Sequence, residues 1–156
     1  MINIYTDGGC RKTGTEKGQS VLPTDKAAWA FMIQDNALEI KKSEGQPGKT
    51  NNYMELTAVI EALETLISLN KQDEPVTLFA DSQYVLNGLT IWKENWKAND
   101  WRNAKKKTIA NKELWVQLDE LINQFPKIEY VWVKGHDSNQ GNLIVDELLN
   151  KTMDNL

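Results

Sequence analysis

Three consecutive segments with period-two hydrophobicity precede the first helical period in this chain, and that order constrains the fold more than any other feature. Residues 2–6 alternate Ile2, Ile4 and Thr6 with Asn3 and Tyr5, as a strand does. Residues 27–34 and 37–44 read as a hairpin joined near Asp35–Asn36, a pair that tolerates positive φ. Gly45, Pro47 and Gly48 then break the pattern. Thr50 suits an N-cap, and Leu56, Val59, Ile60, Leu63, Leu66 and Ile67 recur at helical spacing. Pro75 precedes a short apolar strand at 76–80. Helices are predicted around Val85, Leu86, Leu89 and Trp92 and over 111–123. The run IEYVWV at 128–133 is the last strand, and a final helix starts near 142. Consecutive strands pair by hairpins, whereas parallel neighbours need crossovers, usually helical. The order βββαβααβα therefore predicts an α/β fold: a five-stranded mixed sheet, a three-strand meander plus two parallel strands, with helices on both faces. Residues 11–26 read as a long loop. With no repeat or linker in its 156 residues, the chain is expected to form one domain over 1–156, burying roughly 70% of its unfolded surface.

Four acids stand where such a sheet would place a site. Asp7 ends the first strand pattern in IYTDGGC, Glu55 lies one turn into the first helix, Asp81 follows the 76–80 strand, and Asp146 lies in GNLIVDEL, ten residues after the single histidine, His136. Sites in open α/β sheets form where strands end and helices begin. If the first and fourth strands are neighbours, Asp7 and Asp81 converge, and Glu55 can join them from a helix across the sheet. Carboxylates held that close repel unless a cation neutralises them. Oxygen donors with few nitrogens or sulfurs favour Mg2+, with Mn2+ a possible substitute. Two such ions about 4 Å apart would activate water and stabilise a leaving oxygen in phosphodiester cleavage. Each acid alone has a plainer reading. Asp7 before Gly8 and Gly9 fits an Asx-turn and Asp81 an N-cap. Glu55 fits a helix-surface acid, Asp146 a solvated one, and His136 a surface residue. The set in this order is what points to a site.

A basic, aromatic segment adds a second signal. The chain carries a formal charge of −4, yet residues 93–112 hold seven basic residues against Glu94 and Asp100. That local charge of +5 leaves −9 for the rest. Lys97, Lys105, Lys106 and Lys107 suit phosphate contacts, and Trp92, Trp96 and Trp101 suit packing on sugars or bases. Trp92 and Trp96 also fit a partly buried helix face. Cys10 is the single cysteine, which excludes an internal disulfide and fits a reducing compartment. No apolar run reaches the ~18 residues of a membrane span, and the first residues carry no leader pattern. A cytoplasmic monomer is expected, with no membrane partner.

Taken together, IYTDGGC, TNNYMELTAVIEAL, DSQYVLNGLTIW, NWKANDWRNAKKK and WVKGHDSNQGNLIVDEL resemble the bacterial ribonuclease HI family along nearly the whole chain. The resemblance implies a ribonuclease H-like fold and an endonuclease that hydrolyses the RNA strand of RNA·DNA hybrids, using two metal ions and leaving 5′-phosphate and 3′-hydroxyl ends. It implies that Asp7 bridges both metals and that Asp146 helps hold the ion that activates water. Glu55 and Asp81 would hold the ion on the leaving-group side. His136 would move a proton or aid product release. It also implies that Thr50 and Asn111 grip a DNA phosphate, and that Asn51, Asn52 and Gln83 contact the RNA side, where the 2′-OH distinguishes RNA from DNA.

The chain departs from the family pattern in the longer loop CRKTGTEKGQSVLPTDK, in Ala27, Ala28, Trp29 and Ala30 where a Gly-rich strand is usual, in Gly48 where a basic residue is expected, and in Val145 where a smaller residue is common. The usual RNA-side Asn of the first turn has no clear counterpart. These departures bear on substrate affinity more than on chemistry. A proofreading-type exonuclease would carry a second acid at the position of Gly9, and a Tyr or His near Asn142. A transposase or integrase core would end its acidic set with Glu and carry flanking domains. A non-catalytic hybrid-binding module would be expected to lack at least one of the four acids.

Overall fold

The computed structural model describes residues 1–13, 20–36, 38–134 and 139–156. Five strands run β1 (Ile2–Arg11), β2 (Lys26–Asp35), β3 (Leu38–Gly45), β4 (Val76–Ala80) and β5 (Ile128–Trp132), and they lie in the order β3-β2-β1-β4-β5. The helices are α1 (Asn51–Ser68), α2 (Gln83–Asn87), α3 (Lys93–Ala98), α4 (Lys112–Ile122) and α5 (Gln140–Asp154). The meander β1-β2-β3 is antiparallel, while β4 pairs parallel to both β1 and β5. The mixed sheet expected from the element order is present.

Two apolar clusters, one on each face, explain the layering. On one face Ile2, Ile4, Trp29, Phe31 and Ile33 pack with the α1 stripe and with Trp115 and Leu118 of α4. On the other, Tyr5, Ala28, Ala30 and Met32 pack with Val145, Leu149 and Met153 of α5. β2 is therefore buried on both sides, as a near-continuous apolar strand should be. Small Ala28 and Ala30 share this layer with Val145, so two of the departures from the family pattern meet in one packed cluster.

Two local details differ from the expectations. β1 does not stop near Asp7 but stays paired with β2 through Arg11↔Lys26; only its β4 ladder ends, at Thr6↔Ala80. The segment α2–α3 is one helical run interrupted by a π-helical turn at Gly88–Trp92. A Cβ at Gly88 would overlap the Trp115 ring, so the irregular turn coincides with a close approach to α4. The described parts of the long loop are tied down: Asp25 is 1% exposed, and its carboxylate accepts from the Thr13 hydroxyl at 2.6 Å and the Leu22 amide at 2.8 Å. Those bonds, the Thr13 hydroxyl first, hold the Asp25 carboxyl below its ordinary range. The hairpin turn matches its reading, with Asn36 at φ 52°.

Candidate active site

The parallel ladder between β1 and β4 runs from Ile2↔Val76 to Thr6↔Ala80. The next residue on each strand is an acid, so Asp7 and Asp81 stand side by side just past the last pair. Glu55 arrives from α1 because that helix crosses directly over β1. A Cβ at Gly8 would overlap the backbone of Met54 and Glu55, so only glycine permits this approach. The Gly8 amide donates to Glu55 Oε1 and, at 3.0 Å, to Asp7 Oδ1. One carboxylate oxygen each from Asp7, Glu55 and Asp81 lies within 4.8 Å of the others, a grouping made among the described residues.

Asp146 reaches Asp7 from α5. That helix is seated by Gly141, where a Cβ would overlap the ring of Tyr5. Asn139 caps the helix, its Oδ1 accepting from the Asn142 amide at 2.9 Å. The Asp146 carboxylate acts on Asp7 through its charge and a side-chain hydrogen bond. Trp132 at the end of β5 donates its indole N–H to the Asp81 carbonyl at 3.2 Å.

Burial and repulsion dominate the electrostatics. Burial first, then the Asp81 charge, pushes Asp7 from an ordinary 3.8 up to about 7; Asp146 adds to the rise and a hydrogen bond from Glu55 opposes it. Glu55 is pushed well above its ordinary value by burial, then by Asp7 and Asp81, with the Gly8 amide pulling the other way. Crowded carboxylates with proton affinities this high are a site with unmet demand for positive charge. All donors are oxygen, which fits a hard divalent cation.

The residues expected to contact substrate fall into two groups. Thr50 caps α1, its hydroxyl accepting from the Tyr53 amide at 3.1 Å. Asn51 accepts from the Cys10 amide at 2.5 Å, tying α1 to β1, and Asn52 and Gln83 are exposed. These four flank the carboxylates in sequence. Asn111 sits at φ 58° before α4, within 3.4 Å of the Tyr84 hydroxyl. Trp92, Trp96 and Trp101 are half-buried. Trp96 packs edge-on against Trp115 at 5.2 Å, and an open hollow of about 530 Å³ lies between Trp92, Trp96, Arg102 and Lys106. Lys105, Lys106 and Lys107 are exposed on a turn organised by Asn103 Oδ1, which accepts from the amides of Lys105 and Lys107. Lys97 is held by Asp119 at 3.2 Å. His136 lies outside the described residues.

Sequence reasoning missed Gly8, Asp25 and the Lys93–Asp119 pair. The Gly8–Gly9 doublet signalled a close approach but also fitted a turn, and nothing local marks Asp25 or Asp119 as buried.

The family model for RNase H matches residues 1–154. The chain is 41% identical to the ribonuclease H of Hydrogenovibrio crunogenus over 99% of this chain and 97% of that one. It is 42% identical to the ribonuclease H of Dichelobacter nodosus over 100% of this chain and 94% of that one. Among solved structures, LC9-RNase H1 superposes with a TM-score of 0.78 at 23% identity, covering 99% of this chain and 72% of that chain. LC11-RNase H1 in complex with an RNA/DNA hybrid gives 0.70 at 23% identity, covering 99% and 98%.

Proposed function

From the premise that this chain belongs to the ribonuclease H family, we propose that it is an endonuclease that hydrolyses the RNA strand of RNA·DNA hybrids at the Asp7–Glu55–Asp81–Asp146 cluster. The observation that carries this reading is the convergence of three carboxylates past the end of the β1–β4 ladder, on a chain whose 93–112 segment is basic. Asp7, Glu55, Asp81 and Asp146 would hold two Mg2+ ions, or Mn2+ in their place, which would supply an activated water and charge stabilisation at the leaving oxygen.

The chain's own residues do the rest. The Gly8 amide and the α1 backbone fix Asp7 and Glu55 before substrate arrives, so little reorganisation is needed at the reaction. Thr50, Asn51, Asn52, Gln83 and Asn111 are placed at helix starts and would position the two strands. The exposed lysines of 105–107 with Trp101 would bind the backbone. The resemblance assigns His136 to proton movement or product release. Cleavage would leave 5′-phosphate and 3′-hydroxyl ends. A monomer acting in the cytoplasm fits this reading; no helix among the described residues is long and apolar enough to cross a membrane.

The testing experiment offers end-labelled RNA in three contexts: RNA·DNA hybrid, RNA duplex and single strand, each with Mg2+. Cutting confined to the hybrid, with 5′-phosphate products, supports the reading. Hybrid binding without any cutting would make the chain a binding module, and equal cutting of all three would make it another nuclease of this fold.

A further inference from the structure

The buried stripe Val85, Leu86, Leu89 continues at four-residue spacing through Lys93 to Lys97, so one lysine is carried into the interface between α3 and α4. Lys93 is 6% exposed and Asp119 is 7% exposed. Lys93 Nζ lies 2.9 Å from Asp119 Oδ1, and Lys97 Nζ lies 3.2 Å from Oδ2. Unlike Lys93, Lys97 keeps a third of its side chain in solvent. Two ammonium groups therefore share one carboxylate. A buried carboxylate left without a counter-charge is strongly destabilising, but one close partner is enough to prevent that. The nearer and more buried Lys93 is that partner, and the surplus positive charge sits at the exposed member. Glu94, 3.9 Å from Lys97 on the outer side, is exposed and competes only weakly.

We propose that Lys93 is a positioning residue for hybrid binding: by neutralising Asp119 it frees Lys97 to leave the carboxylate and contact a nucleic-acid phosphate. Without Lys93, outward movement of Lys97 would strand Asp119 as a buried, unpaired charge, so Lys97 would stay on Asp119. The inference rests on the hybrid-binding reading above. It predicts that a lysine with no access to substrate controls the salt dependence of binding.

The test is the dependence of log Kd on log salt for the full chain and an RNA·DNA hybrid, measured in chelator so that no cutting occurs. Lys97→Ala lowers the slope by roughly 0.7 to 0.9, one phosphate contact. Lys93→Met lowers it by the same amount although Lys97 is intact. Lys93→Met combined with Asp119→Leu restores the parental slope, because nothing then holds Lys97 back. This double variant replaces a buried ion pair with apolar side chains, which folds often tolerate, so a lowered slope in it overturns the proposal even if the single variant melts early. A parental slope in Lys93→Met, an unchanged slope in Lys97→Ala, or a lowered slope in the double variant each overturns the proposal. A parent that fails to bind the hybrid overturns the functional reading itself, a different result from a binding parent whose slope ignores Lys93.

Discussion

The carboxylate cluster and the basic segment 93–112 meet opposite physical demands. Asp7 and Glu55 are buried, with a backbone amide shared between them and their proton affinities raised. Lys105, Lys106 and Lys107 are exposed on a turn whose shape is set by one asparagine. Under the proposed function, chemistry requires groups that do not move when charge develops, which strands and a packed helix supply. Affinity for a polyanion requires only charge within reach of solvent, so a turn suffices. The cluster is thus brittle and the basic segment tolerant, and the two should fail in different ways when changed.

The largest effect is expected from Asp7→Asn. It removes a cation ligand at nearly constant volume, so turnover should fall by far more than tenfold, the ~1.4 kcal/mol level below which the ligand assignment would collapse. Hybrid binding should persist, and the cation-free protein should melt at a higher temperature, because a crowded buried charge is gone. Gly8→Ala comes next. The new methyl meets the α1 backbone, so α1 must lift from β1; about 1–3 kcal/mol of stability should disappear, and turnover should fall with Glu55 displaced. A Gly8→Ala protein with parental melting and turnover would show that the close approach is not needed.

Changing Lys105, Lys106 and Lys107 to Ala should spare turnover at saturating hybrid while weakening binding. The salt slope should fall by roughly 0.7 to 0.9 for each phosphate that is no longer neutralised. A lowered saturating rate would erase the distinction between the two regions. The smallest effect concerns pH. Asp7 ordinarily titrates near 3.8 and in the fold near 7. Between those values the folded state binds more protons than the unfolded one, so cation-free stability should decline as pH rises from about 4 to about 7. Glu55 acts in the same direction. Added Mg2+ should flatten the decline, and melting curves across that range with and without the ion will show whether it does.

What the sequence made legible follows from the range of the interactions involved. The element order carried the sheet topology because hairpins and crossovers leave local periodicities. Asp7 and Asp81 were readable because each stands beside a strand run, and the parallel register then brings them together. Glu55 was readable as a helix residue, but its reach to Gly8 depends on a helix–strand approach set by a missing Cβ. The continuation of β1 past Asp7 was hidden because Gly8 and Gly9 carry weak strand preference, and pairing with β2 overrides it. Lys93 read as part of a charged surface. Its burial depends on the helical phase through the π turn and on Asp119, 26 positions away. Long-range pairs of this kind leave no local trace.

The most direct measurement is restoration of cutting by metal. Protein stripped with chelator is mixed with saturating hybrid whose two strands carry different labels, and Mg2+ is then titrated in. Cutting of the RNA strand alone, absent before the ion and rising with it, is the expected result. RNA cutting at full rate in chelator, or cutting of the DNA strand on adding Mg2+, would contradict a cation-dependent, RNA-directed site built from Asp7, Glu55, Asp81 and Asp146.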